Sequence, residues 1–480
     1  MPSALPSSRT RWWSLAILGL TQLMVVLDGT IVAIALPAAQ ADLGMADGQR
    51  QWVVTAYAVS FSALLLLGGR IADFWGRKRA FMVGMVGFGV ASAWGGLAQS
   101  GGELIAARGL QGVFAALLAP SALAMVSVLF PSGRDRNVAF AVFGIIAGTG
   151  AAFGFLLGGA LTQYADWRWC LLVNLVFVVA GLIGGKVLLV ESKAEGDTRY
   201  DIVGTVIVAL SLGALIYGFA RAEHGWDEPE TWGFLAVGAG LMGVFVWWQS
   251  RTSHPLLPLR VVRDRVRGGA FLLQAMVGVV MVGAMLYLTF HFQIVLGMSP
   301  LMAGFGNVAM TVVIMATAPI STTLFTTFGP RVVLTVGPLL AAAGLFFLSG
   351  ITAEGSYWSE VLPGLVVMGL GFSLIFVPVQ NLALSGVDAH DAGVASAMAN
   401  ASMHVGGSIA VAVFTALYSS AMADALAQGT ERLPALAGAY GDVLFAAAWA
   451  MILGAATSFV LFRGSKPEVP ESVDAVATAR

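Results

Sequence analysis

The sequence predicts an all-α protein that crosses a bilayer many times, and three observations carry that prediction. Of its 480 residues, 58% are hydrophobic and only 11% are charged, against roughly 25% charged in an ordinary soluble domain. The apolar residues gather in runs of membrane length, and mean hydropathy is +0.85. Those runs do not alternate apolar with polar as barrel strands do, so each must satisfy its own backbone as a helix. The net charge of −1 gives no general attraction to nucleic acid. The single cysteine, Cys170, excludes an intrachain disulfide and reads as a small apolar filler.

Fourteen apolar runs of about 20 residues, the length that spans hydrocarbon, follow one another. They fall near 13–36, 52–71, 80–99, 103–129, 137–161, 169–190, 202–220, 232–250, 270–290, 301–324, 331–351, 359–380, 393–418 and 441–462. Arg9 and Arg11 precede the first run as in a signal peptide. Trp13–Leu36 is longer than a signal core and continues without a cleavage site, so it reads as a retained span.

Basic residues set the orientation. With both termini inside, most Lys and Arg fall on the cytoplasmic side, and only Arg50, Arg168, Arg221 and Arg432 fall outside. Two polar connectors, Glu191–Asp201 and Arg251–Gly269, cut the chain into blocks. Residues 1–190 form a first six-helix bundle, 191–269 two inserted helices and 270–462 a second six-helix bundle. Residues 463–480 form a short cytoplasmic tail.

Between the second and third runs lies a dense charged loop with Gly69, Arg70, Asp73, Gly76, Arg77, Lys78 and Arg79. Asp73 and Arg77 stand four apart, the spacing that pairs side chains on a helical turn. The phrase returns in weaker form: Phe74–Gly84 reads FWGRKRAFMVG and Thr327–Gly337 reads TFGPRVVLTVG, with Lys78 answered by Arg331. An internal repeat joining these two loops is what two related bundles separated by two inserted helices produce, and repeats of this kind mark transporter folds.

Asp28 lies midway in the first run, and a charge at helix centre costs roughly 2.5–3.5 kcal/mol on insertion scales. It is read as a proton or cation site, with a structural role at a helix break as the alternative. Arg108 is the one basic residue deep in a run, with Gln111 and Glu103 near it in sequence. Its readings are a proton-coupling or gating group and a structural ion pair. Gly150, Gly154 and Gly158 recur every four residues beside Gly159, giving a smooth face for close helix approach. Gln111, Asn307, Asn400 and His404 are candidates for a substrate cavity or for interhelical hydrogen bonds. His291 is a lone titratable residue near a helix end. The five histidines form no metal-spaced pair, and no phosphate-binding Gly-Lys loop is present. The reading is therefore a non-enzyme without metal, cofactor or ATP, drawing on an ion gradient or equilibrating its solute.

These motifs together resemble the major facilitator superfamily, and within it the fourteen-helix drug:proton antiporters. Gly69–Arg79 is similar to the loop between helices 2 and 3 of that family, and Leu27–Thr30 with Ala35–Pro37 to its helix 1 motif. Arg108–Gly112 with Pro120 resembles the helix 4 motif, whose arginine is tied to proton coupling there. Gly150–Gly159 resembles the helix 5 antiporter motif, with Phe155 where the family usually has Pro. Asp201–Gly204 is similar to the entry to helix 7, and Gly369–Gly371 with Pro378 to helix 12. The resemblance implies a monomeric transporter of the cell membrane that exchanges protons for hydrophobic or cationic drugs by alternating access. Asp28 and Arg108 would couple the proton and the charged loop would gate the cytoplasmic face. A dedicated exporter of an endogenous metabolite, and an uncoupled channel or membrane sensor, are the alternative functions.

Overall fold

A computed structural model describes residues 7–131, 133–193, 201–222, 225–387 and 392–463. The connector residues 194–200 and the tail expected beyond Arg463 lie outside the described residues. Among the described residues the regular structure is entirely helical. In order, the long helices are α1 (Ser8–Leu43), α2 (Asp47–Trp75), α3 (Arg77–Gly96), α4 (Gly101–Leu129) and α5 (Gly133–Tyr164). Then come α6 (Trp169–Leu188), α7 (Ile202–Arg221), α8 (Pro229–Arg251), α9 (Arg265–Val295) and α10 (Pro300–Leu348). The last three are α11 (Tyr357–Leu384), α12 (Ala392–Ala427) and α13 (Arg432–Leu461).

Local chemistry sets the helix ends. The hydroxyls of Ser7, Ser100 and Ser299 accept from backbone N–H groups in the first turns of α1, α4 and α10. Pro300 stands first in α10, where its missing N–H is no loss. Gly44 closes α1 in the left-handed conformation. Within α10, Gly329 departs from helical geometry at φ 78°. The 49 residues of α10 would run roughly 70 Å as one rod at 1.5 Å per residue, more than twice the hydrocarbon thickness.

Ten described helices are long and apolar enough to cross a bilayer, or eleven with the bent α2. The outward faces of the described helices carry large apolar side chains such as Val90, Ile183, Val237, Ile320 and Leu453, all more than half exposed. In water such a belt would aggregate; against lipid it is the ordinary surface of a spanning protein. Exposed tryptophans sit near helix ends, among them Trp13, Trp75, Trp169 and Trp358, where amphipathic rings suit the membrane–water boundary.

The core holds two large clusters and a small one of Phe245, Leu256 and Leu257. One of the large clusters joins Leu15–Val25 of α1 to α2–α6. The other carries on from Leu27–Ala39 of α1 into α9–α13. Helix α5 packs on α1 along the small face read from the sequence. A Cβ on Gly150 would meet Val26 at 3.0 Å, one on Gly154 would overlap the Thr30 hydroxyl, and one on Gly158 would meet Ile31 at 2.9 Å. Gly159 faces Pro300 and Leu301 of α10, linking the two halves of the chain.

Candidate functional site

Five helices converge on one carboxylate. Asp28, near the midpoint of α1, is fully buried and so is Arg108 from α4. Arg108 Nη1 donates to Asp28 Oδ2 at 2.5 Å and to Gln111 Oε1 at 2.8 Å, and its Nε reaches the Val53 carbonyl on α2 at 3.3 Å. The guanidinium lies 4.4 Å from the centroid of the Tyr57 ring, also on α2, an arrangement that favours a desolvated cation. The second carboxylate oxygen, Oδ1, accepts from Gln111 Nε2 at 3.2 Å and from Asn174 Nδ2 on α6 at 2.7 Å. Ser92 of α3 completes the set, its Oγ accepting from Gln111 Nε2 at 2.7 Å.

A buried ion pair survives only where its lone pairs and protons are met by further hydrogen bonds, and here both carboxylate oxygens are met. The cluster also has an edge. Gly29, next in sequence to Asp28, is exposed, and a Cβ built on it meets nothing within 4 Å. A sealed charge thus stands beside open space at the level where a spanning helix is deepest in the bilayer.

Sequence reasoning reached Asp28, Arg108 and Gln111 but not the way they combine. Gln111, expected among cavity candidates, is instead wholly buried in the carboxylate's shell. Glu103, close to Arg108 in sequence, turns away to accept from the Gln99 backbone N–H at 2.8 Å. Ser92, Tyr57 and Asn174 were missed. An isolated asparagine in the apolar run of α6 was the one available signal.

The other cavity candidates lie apart from this cluster. Asn307 is buried, donating to Thr289 Oγ1 at 3.2 Å and to the Ala303 carbonyl at 3.0 Å. Asn400 is exposed and its amide bonds the Ser396 carbonyl one turn back. His404 sets its ring edge-on to Phe61 of α2, with centroids 4.7 Å apart, so it touches the opposite half of the chain.

The charged loop is compact. Asp73 Oδ1 accepts from Arg77 Nε at 3.0 Å and Nη2 at 2.8 Å, the pairing that the four-residue spacing predicts. Gly76 holds φ 126° between α2 and α3. Glu191, distant in sequence, places its carboxylate at the start of α3, accepting from the backbone N–H groups of Lys78 (3.1 Å) and Arg79 (3.2 Å). An anion there complements the positive end of the helix. Lys78 Nζ donates to the Leu189 carbonyl at 2.6 Å and the Lys186 carbonyl at 3.1 Å, capping the end of α6. Arg70 lies in the last turns of α2, half-buried.

At the opposite ends of α1 and α2 the two halves of the chain meet. Arg50 was expected on the outer side, between the first two spans. It is buried in the first turn of α2, donating to Gln40 Oε1 at 2.8 Å with its guanidinium 3.9 Å from the Phe290 ring centroid of α9. Burial of this cation is met by the aromatic face it lies against. Beside it Gln51 Nε2 donates to the Tyr287 hydroxyl at 2.8 Å, and Gln293 Nε2 to the Ile34 carbonyl at 3.0 Å. Among the described residues, no three of His, Cys, Asp and Glu gather as a metal site.

Comparison with known proteins fits this architecture. The family model described as Major Facilitator Superfamily matches residues 18–411. The chain is 39% identical to the puromycin resistance protein pur8 of Streptomyces alboniger, over 98% of this chain and 94% of that one. It is 34% identical to the tetracenomycin C resistance and export protein of Streptomyces glaucescens, over 86% and 77% of the two chains. In fold it is similar to the crystal structure of an auto-inhibited POT family peptide transporter, with a TM-score of 0.69 at 16% identity over 96% of this chain and 99% of that one. The chain is a multi-span membrane transporter and belongs to the Major Facilitator Superfamily.

Proposed function

We propose that the protein is a proton-driven exporter of hydrophobic or cationic small molecules, antibiotics among them, that works by alternating access. The observation that carries this reading is Asp28: an acid in the middle of a spanning helix, buried against Arg108, with open space at its neighbour Gly29. Intramembrane acids are costly and are retained where a proton or ion pathway needs them. The proton exchanged at Asp28 would couple to substrate in the adjoining space, with Arg108 holding the carboxylate between turnovers. One net charge moved is worth about 2.3 kcal/mol per 100 mV, so one proton per cycle supports substantial accumulation, without ATP.

In this reading the chain crosses the membrane fourteen times. To the ten helices counted above are added α2, α3, α5 and a second crossing within α10, divided at Gly329. Residues 1–190 and 270–462 act as two six-helix bundles that rock about the cavity, 191–269 as the inserted pair, and both termini face the cytoplasm. The unit is a monomer. The contacts of Arg50, Gln51 and Gln293 with α9 and α1 then close the external end, while the Asp73–Arg77 loop gates the cytoplasmic end.

A second reading, export of one antibiotic or metabolite made by the same cell, is favoured by the names of relatives. These include the puromycin and tetracenomycin C proteins and the cephamycin export protein CmcT of Amycolatopsis lactamdurans. One experiment addresses both. Export of puromycin and a panel of cationic dyes is measured in inverted vesicles, with and without a pH gradient, for wild type and Asp28→Asn. Gradient-dependent export of several compounds, reduced to background in Asp28→Asn, is the expected result. Export of one antibiotic alone selects the dedicated reading. Export that persists in Asp28→Asn removes the proton site from helix α1.

A further inference from the structure

Two amides touch the Asp28 carboxylate, and only one is free to turn. Gln111 is fixed at both ends: Oε1 accepts from Arg108 Nη1, and Nε2 donates to Asp28 Oδ1 and Ser92 Oγ. Turned over, it would set an N–H against the guanidinium. Asn174 is bound on one side. Its Nδ2 donates to Asp28 Oδ1 at 2.7 Å and lies 3.5 Å from Ser92 Oγ, whereas its Oδ1 is buried with no hydrogen-bond partner. Buried polar atoms are nearly always paired, so this orphan acceptor beside a titratable carboxyl calls for a reason.

The chemistry of the carboxyl supplies one. A carboxylate takes only donors; a carboxylic acid has an O–H to give and needs an acceptor. Arg108 carries no acceptor atom, and the Gln111 carbonyl oxygen already serves Arg108. Ser92 Oγ already accepts from Gln111. The unoccupied acceptor in the shell is Asn174 Oδ1.

We propose that Asn174 is a two-state positioning residue for the proton cycle: its amide donates Nδ2–H to the Asp28 carboxylate and turns over to accept the O–H of protonated Asp28 with Oδ1. This rests on the reading of Asp28 as the proton site. A proton from water on one side forms the O–H bond at Asp28, and the amide turns about its terminal torsion, a soft rotation that needs no backbone movement. When the O–H bond breaks the proton leaves to water on the other side, and the amide turns back. The charged and titratable groups facing Asp28 are Arg108 on α4, Tyr57 on α2 across the guanidinium, and the buried Cys170 thiol on α6. Helices α3 and α6 present the neutral Ser92 and Asn174, while α5 packs Gly154 against Thr30 and the Leu27 carbonyl of α1.

The test is infrared difference spectroscopy across a pH step, on the purified full-length protein in lipid nanodiscs, with carbon-13 in the asparagine side-chain carbonyl. The expected spectrum has a carboxylic C=O band that disappears in Asp28→Asn. A label-sensitive asparagine carbonyl shift accompanies it and disappears in Asn174→Leu. In vesicles, Asn174→Leu lowers pH-driven puromycin export about tenfold or more, while Asn174→Thr, which keeps a donor and an acceptor, stays near wild type. An Asp28 band with no asparagine carbonyl moving beside it makes Asn174 a fixed donor and overturns the proposal, leaving the proton site intact. No Asp28-dependent band at all removes the proton site and this inference with it. Because the labelled wild type carries the decisive signal, a variant that fails to fold does not blunt the result.

Discussion

At Gly76 the chain turns between α2 and α3 among the charges of Asp73, Arg77, Lys78 and Glu191. At Gly329, the matching place in α10, it turns with one cation, Arg331. The backbone device is shared: both glycines have positive φ, 126° and 78°. One contact is shared as well. Lys78 donates to carbonyls at the end of α6, and Arg331 Nε donates to the Phe459 carbonyl at the end of α13 at 3.0 Å. Each half thus ties its inter-helix turn to its own last helix with a basic side chain. The carboxylates are not shared. Position 326, which answers Asp73, is a threonine, and the capping Glu191 lies in the first half. The same asymmetry holds in the interior: among the described residues the buried charged side chains are Asp28, Arg50 and Arg108, all in the first half. The two turns share a backbone device and a basic tie, while the carboxylates and the buried charges of the described residues lie in the first half.

The comparison breaks hardest at the buried pair. Arg108→Ala leaves Asp28 buried without its cation, and such losses cost about 3–5 kcal/mol. A large fall in thermal midpoint in detergent is expected, partly restored by adding Asp28→Asn, which removes the orphaned charge. A double variant no more stable than Arg108→Ala would contradict the pairing as the source of the loss.

Next comes the α1–α5 contact that holds the same site. A methyl on Gly154 overlaps the Thr30 hydroxyl and stands 2.9 Å from the Leu27 carbonyl. Gly154→Ala is therefore expected to cost about 1–3 kcal/mol through overpacking and to reduce export, while Gly29→Ala, in open space, leaves stability near wild type. Equal effects of the two substitutions on the thermal midpoint would refute close packing at Gly154.

The two turning glycines give the smallest and sharpest contrast. Any side chain at these φ values is strained by about 1–3 kcal/mol. Gly76→Ala adds a collision with the Glu191 carboxylate, 2.7 Å from where its Cβ would stand, whereas Gly329→Ala meets nothing within 4 Å. The first is expected to destabilise more than the second, and Glu191→Ala should narrow the difference. Thermal midpoints of the three variants decide it.

The sequence by itself determined the all-helical, multi-span class, the order of the apolar runs and the presence of one deep acid and one deep base. Lipid makes this possible, because an unpaired backbone group or a stray charge in hydrocarbon costs so much that hydropathy and isolated ions become local signals. The Asp73–Arg77 pair was legible for the same reason, since four residues of helix fix it. Only the tertiary structure decided which groups meet Asp28. Arg108, Gln111 and Asn174 lie 80, 83 and 146 residues away along the chain, and nothing local says which face each helix turns inward. Glu191 at the start of α3 and Arg50 on the Phe290 ring were invisible on the same grounds. A membrane helix is recognised by its composition, but the partner of a buried polar group is chosen by how the helices pack.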